Sequence, residues 1–369
     1  MNNKRLWRWL GLIFVLSFGA LGYLGLQIYL SAPPIPKAVA TADGDVLFTG
    51  EQIQRGQQAW LSAGGQQLGT VWGHGSYVAP DWSADWLHRE ALALQAIRTQ
   101  QFLHAQPTLT TADRAGIDAT LKEEMRRNRY DASSGVITVS NARAQAIREV
   151  ASHYVALFGT DPSLAALRDQ YAMVDGTLPH AADRQALAAF FFWTSWAATT
   201  DRPGESNLSY TSNWPHEPLV GNTMTSSAAM WSMVSIVLLI ACIAAMLWFH
   251  GSQRHEEPLQ PLAADPLITA VATPSMKATR KYFFAVIGLI LVQIGMGAIT
   301  AHYAVEGQSF FGIPLAEVLP YVVSRTVHTQ LGIFWIATAW LATGLYIAPL
   351  LSGREPKLQK LGVDVLFWA

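Results

Sequence analysis

The chain has 369 residues, 51% of them hydrophobic, with 25 Lys and Arg against 26 Asp and Glu and a formal net charge of −1. That length leaves room for more than one domain, and the near-neutral balance argues against a nucleic-acid partner. The single cysteine, Cys242, lies in an apolar run, so no disulfide framework is possible, and without a Cys-x-x-Cys-His string neither is covalent attachment of a c-type haem.

Four segments are long and apolar enough to predict membrane-spanning helices: about Leu6 to Leu30, Ala229 to Phe249, Tyr282 to Tyr303 and Pro320 to Leu351. The apolar core of the first is too long for a signal peptide, and Ser31-Ala32-Pro33-Pro34 is a poor cleavage site, so it reads as a retained anchor. From residue 31 to about Asp85 the chain is rich in glycine and aromatics, a texture of loops rather than regular elements. Helices are predicted over 84–105, 110–128 (with a start at Asp113), Asn141 to Phe158 and Ala182 to Ala198. Thr200 to Pro215 reads as a loop returning to the membrane, and Gly362 to Ala369 begins a fifth apolar run. The chain therefore divides into an anchor (1–30), a polar region (31–226) and a group of spans (227–369).

Basic residues set the orientation. Lys4, Arg5 and Arg8 precede the first span, Arg254, Lys277, Arg280 and Lys281 lie between the second and third, and Arg354, Lys357 and Lys360 follow the fourth. All three groups belong on the cytoplasmic side of a bacterial inner membrane, which places residues 31–226 in the periplasm.

His328 lies inside the fourth span, where a histidine is costly without a partner. Gly332, one turn later on the same face, leaves room for a flat group, and Arg325, one turn earlier, can hold an anion. Imidazole, small residue and cation together are what a haem requires. The alternative is a histidine hydrogen-bonded to a neighbouring helix, with Arg325 reaching for the interface. His302 and Glu306 share a face at the end of the third span and could exchange protons with the hydroxyls of a quinol; the alternative is a solvated cap. The Gly75-Ser-Tyr77 turn offers oxygen ligands suited to calcium, or is a structural loop. His74 and His88 lack metal-ligand spacing and read as loop or surface residues.

Long strings in the chain resemble quinol-dependent nitric oxide reductases. They are Trp-Gly-His-Gly-Ser-Tyr-Val-Ala-Pro-Asp-Trp-Ser-Ala-Asp-Trp-Leu-His-Arg-Glu at 72–90, Phe-Phe-Phe-Trp-Thr-Ser-Trp at 190–196, Tyr-Thr-Ser-Asn-Trp-Pro at 210–215 and Arg-Thr-Val-His-Thr-Gln-Leu-Gly-Ile-Phe-Trp-Ile-Ala at 325–337. The resemblance implies a mainly α protein, in which polytopic helices of the haem–copper oxidase type carry a periplasmic cytochrome c-like domain without haem c. It implies reduction of two nitric oxide molecules to nitrous oxide and water, with electrons passing from a membrane quinol through low-spin haem b to haem b3 and a non-haem iron. It makes His328 an axial ligand of haem b with Arg325 near the propionates, assigns His302 and Glu306 to the quinol site, and Gly75 and Tyr77 to calcium.

Such an enzyme has about a dozen spans, and the second axial histidine and the residues for haem b3 and non-haem iron have no counterpart here. The chain is therefore expected to be an N-terminal portion, inactive and poorly stable without the missing C-terminal helices. Two other readings compete: a non-catalytic anchored module whose periplasmic domain binds a partner, and an oxygen-reducing relative.

Overall fold

The computed structural model of the protein describes residues 3–252, 270–307 and 312–369; Arg254, used above for orientation, lies outside them. The described chain is mainly helical. In order, its elements are α1 (Asn3–Leu30), β1 (Ala38–Thr41), β2 (Val46–Thr49), α2 (Gly50–Ser62), α3 (Trp82–Ala105), α4 (Thr111–Arg126), β3 (Tyr130–Asp131), β4 (Val136–Val139), α5 (Asn141–Leu157), α6 (Ala165–Gln170), α7 (Ala181–Thr199), α8 (Ser226–Ser252), α9 (Pro274–Ala278), α10 (Arg280–Glu306), α11 (Leu315–Val318), α12 (Tyr321–Ser352) and α13 (Gln359–Trp368). Four stretches of helix are long and apolar enough to cross a membrane: Trp7–Leu30, Ser226–Ser252, Pro274–Tyr303 and Tyr321–Ser352. Two compact units emerge, one of Met1–Ser76, Pro80–Asp161 and Leu178–Ala229, the other of Tyr77–Ala79, Pro162–Thr177 and Met230–Ala369.

The glycine-rich stretch before Asp85 corrects the expectation of loops alone, because it contains β1, β2 and α2. Helix α2 starts on a capping box, in which Thr49 accepts from the Gln52 N–H and the Gln52 side chain accepts from the Thr49 N–H. The strands form a sheet in the order β2-β1-β4-β3, with β1 and β4 parallel. A parallel partner so distant in the chain leaves no local pattern to read. Glycine does have a role here, but it is packing. A Cβ on Gly56 would stand 2.0 Å from the Ala186 carbonyl oxygen, so α2 and α7 touch backbone to backbone.

Side-chain caps start the other helices of this unit. Asp81 accepts from the Ala84 N–H to open α3, and also ties down Thr70 and the Gly73 N–H. Thr110 and Asp113 form the capping box of α4, and those hydrogen bonds hold the Asp113 carboxyl below its usual range. Ser140 caps α5. Helices α3, α5 and α7 enclose an aromatic core. Trp82 stacks on Phe191 at 5.5 Å and Trp86 on Tyr154 at 5.2 Å, with Phe158 and Phe192 edge-on. Buried within it, Glu90 accepts from Arg143 Nε at 2.7 Å and from Trp86 Nε1 at 2.8 Å. The return segment after α7 hangs on buried Arg126, which donates to Asp201, Asn213 and Asn222.

The second unit is built on α10 and α12, which pack antiparallel. Tyr303 and Tyr321 meet edge to face at 5.8 Å, joined by Ala172 and Ala316 in a small apolar cluster. At the other end Tyr282 donates to the Val363 carbonyl at 2.7 Å and packs with Ala342, so the final apolar run folds back as α13 against α10 and α12. Lys281 pairs with Asp364 there at 2.5 Å.

Candidate functional site

Helix α12 places Arg325, His328 and Gly332 on one face, three and four residues apart. His328 is half-buried against α10, and its Nδ1 lies 2.9 Å from the Gln293 carbonyl oxygen. A carbonyl can only accept, so Nδ1 carries a proton and the nitrogen left for a ligand is Nε2. Nε2 has no hydrogen-bond partner among the described residues and is not sealed inside the protein. The two sequence readings of this residue therefore do not exclude each other, since the bond to the neighbouring helix uses one nitrogen and leaves the other. A ring held at Nδ1 by a carbonyl, with Nε2 open, is the state expected of a metal-ligating histidine, so the residue fits an axial role.

The other members of the predicted site are placed as follows. The Arg325 guanidinium has no hydrogen-bond or ion-pair partner among the described residues and remains available to an anion. The space beside Gly332 is taken from the α10 side by the Gln293 amide; a Cβ there would lie 2.8 Å from Nε2 of Gln293. His302 and Glu306 meet near the C-terminal end of α10, with Nε2 3.5 Å from Oε2 and the carboxylate about a third exposed. Roughly 8 Å of helix rise separates His302 from Gly297, which lies at the level of His328 (five residues at 1.5 Å each).

Gly75 belongs to the first unit and Tyr77 to the second. Gly75 has φ +89 and donates its N–H to Thr70, while Tyr77 is an exposed side chain. Among the described residues no group of three or more His, Cys, Asp or Glu could hold a metal ion. His74 packs edge-on to Trp214 at 4.7 Å. His88 is exposed, as its reading as a surface residue requires, and its Nδ1 lies 2.8 Å from Glu217. That carboxylate comes from a segment far along the chain, invisible to local spacing.

Sequence reasoning passed over Gln293, Gly297 and Trp335. Trp335 Nε1 donates to Gln293 Oε1 at 2.5 Å, so one residue of α10 touches α12 through both backbone and side chain. The available signal was Gln293 itself, a polar residue in the middle of an apolar span.

The family model for the NorB cytochrome c-like domain of nitric oxide reductase matches residues 36–216, and that for cytochrome c and quinol oxidase polypeptide I matches residues 277–369. The chain is a NorB-like protein. No curated protein matches it. The two matched regions explain its composition. The NorB-type domain is the aromatic-cored unit of α2–α5 and α7, while the oxidase-type region holds α10, α12 and every residue of the His328 and His302 groups. As a haem–copper oxidase relative, the protein is an oxidoreductase of a haem-dependent, membrane-spanning class.

Proposed function

We propose that this NorB-like protein belongs to a quinol-dependent nitric oxide reductase, in which one quinol and two nitric oxide molecules give quinone, nitrous oxide and water. The state of His328 carries the reading. Its Nδ1 is fixed by a main-chain carbonyl and its Nε2 is open, as an axial ligand requires. Haem b bound there would supply one-electron transfer. Arg325, at the preceding turn and without an ion-pair partner among the described residues, would hold a propionate. The absence of Cys-x-x-Cys-His agrees with electrons arriving from quinol rather than through a covalent haem.

His302 and Glu306 are suited to take the two protons that quinol loses on oxidation, one on imidazole nitrogen and one on carboxylate. Their position a few turns from His328 keeps the donor within electron-transfer range of the haem ligand. Gly332 would lie beside the haem edge, with Gln293 covering its other side. The second axial ligand, haem b3 and the non-haem iron are assigned to residues elsewhere in the holoenzyme. In this reading residues 1–30 anchor the protein in the bacterial inner membrane, 31–226 form the periplasmic cytochrome c-like domain and 227–369 belong to the catalytic helices, with the N-terminus cytoplasmic.

The test uses holoprotein extracted from membranes. The reduced-minus-oxidised spectrum should show haem b, and His328→Ala should remove the low-spin component. Quinol-driven consumption of nitric oxide should fall at least tenfold in His302→Ala and in Glu306→Gln. Low-spin haem retained in His328→Ala would refute the ligand assignment. Turnover with oxygen but not nitric oxide would favour an oxygen-reducing relative.

A further inference from the structure

The contacts between α10 and α12 follow one antiparallel register: Tyr303 with Tyr321, Thr300 with Ser324 at 3.2 Å, Gly297 with His328, and Gln293 with Gly332 and Trp335. Two of these contacts are notches cut by missing side chains. A Cβ at Gly297 would stand 2.7 Å from Cε1 and 2.9 Å from Nδ1 of His328, and one at Gly332 would stand 2.8 Å from Nε2 of Gln293. Each helix thus inserts a polar side chain into a glycine notch of the other, one turn apart. The two notches differ in tolerance. The Gln293 amide is the far end of a flexible chain, whereas the imidazole is a rigid ring tethered at Nδ1.

The Gly297 notch also exposes an acceptor. In an α-helix the carbonyl of residue 293 receives the N–H of residue 297 and retains a second lone pair. Any side chain at 297 would cover that flank; with glycine there, the His328 ring reaches it. The Gln293 side chain then crosses to α12, fills the Gly332 notch and accepts from Trp335 Nε1. The same residue therefore presents the carbonyl and is itself clamped to the helix that carries the histidine.

We propose that Gln293, Gly297 and Trp335 are positioning residues for the haem ligand, with the Gln293 carbonyl in the Gly297 notch setting the tautomer, rotation and basicity of His328, and the Gln293–Trp335 bond holding that carbonyl in register. The proposal rests on His328 being an axial ligand. A histidine donating through Nδ1–H is a more basic ligand at Nε2, which favours the ferric state and lowers the reduction potential. Losing the bond should therefore raise it.

The experiment is a redox titration and an electron paramagnetic resonance spectrum of the low-spin haem in holoprotein carrying Gly297→Ala or Trp335→Phe, with His328→Ala alongside. Gly297→Ala should raise the midpoint potential and shift the largest ferric g value as the ring is turned out of its notch. Trp335→Phe should retain haem and move both quantities the same way by less. If Gly297→Ala fails to assemble, Trp335→Phe decides. An unchanged potential and g value in every variant that assembles would overturn the proposal while leaving the ligand assignment standing. Low-spin haem surviving in His328→Ala would instead overturn the ligand assignment beneath it.

Discussion

The ion pair of Glu90 and Arg143 allows a quantitative prediction for the cytochrome c-like domain. Glu90 is 0% and Arg143 3% exposed. The carboxylate accepts Arg143 Nε at 2.7 Å and Trp86 Nε1 at 2.8 Å, and Arg143 Nη1 donates to the Glu124 carbonyl at 3.2 Å. Glu90→Leu strands the guanidinium and the indole N–H together. Removing one member of a buried pair costs about 3–5 kcal/mol, and an unsatisfied indole falls within the roughly 1–3 kcal/mol of a lost buried hydrogen bond. The nearby Glu124 carboxylate offsets part of this. Burial pushes its pKa up, but hydrogen bonds from Ser140 and Arg98 and the charges of Arg143 and Arg98 outweigh that and keep it ionised. A net loss of about 4 kcal/mol is expected, or roughly 8–16 °C in the domain's melting temperature at about 2–4 °C per kcal/mol. Thermal unfolding of the detergent-solubilised chain, followed by tryptophan fluorescence, measures it. Glu90→Leu/Arg143→Met should recover most of the loss, because an apolar pair of similar volume replaces a buried ion pair at little cost. A single variant melting within about 3 °C of the parent, or a double variant as unstable as the sum of the singles, would refute the reasoning.

Gly56→Ala should lower the same melting temperature, since its Cβ would stand 2.0 Å from the Ala186 oxygen and force α2 from α7 at about 1–3 kcal/mol; an unchanged transition would show that the helices separate freely. Burial, with the Arg89 charge, lowers the His153 pKa below 6.5. The unfolded chain then binds a proton that the folded domain refuses, so stability should decline as pH falls below about 6.5. His153→Gln should flatten that decline between pH 7 and 5.5, and an equal slope in the variant would exclude His153 as its source. Arg126→Met removes the donor shared by Asp201, Asn213 and Asn222 and should speed proteolytic cleavage within 200–216, measured by limited digestion against the parent.

The sequence by itself determined the parts whose physics is local. Apolar length alone located α1, α8, α10 and α12, because a membrane-spanning helix must be apolar along its length. Side-chain periodicity located α3, α4, α5 and α7 within a few residues of their observed ends. The strings at 72–90 and 325–337 pointed to the family before any fold was known. His328, Arg325, His302 and Glu306 were legible as candidates because charged or titratable groups in apolar helices stand out.

Only the tertiary structure decided which groups those residues meet. The sheet was hidden because β1 pairs with β4 across most of the domain, and strands of two to four residues carry almost no periodic signal. Glu90 and Arg143 lie on different helices, so nothing in the local sequence of either one names its partner. The partners of His328 depend on the register of α10 against α12. Gln293, Gly297 and Trp335 meet it because two glycine notches let the backbones close at that register. A helix pair can slide or rotate without any change in either hydropathy profile, so the profile names the helices while packing chooses the contacts.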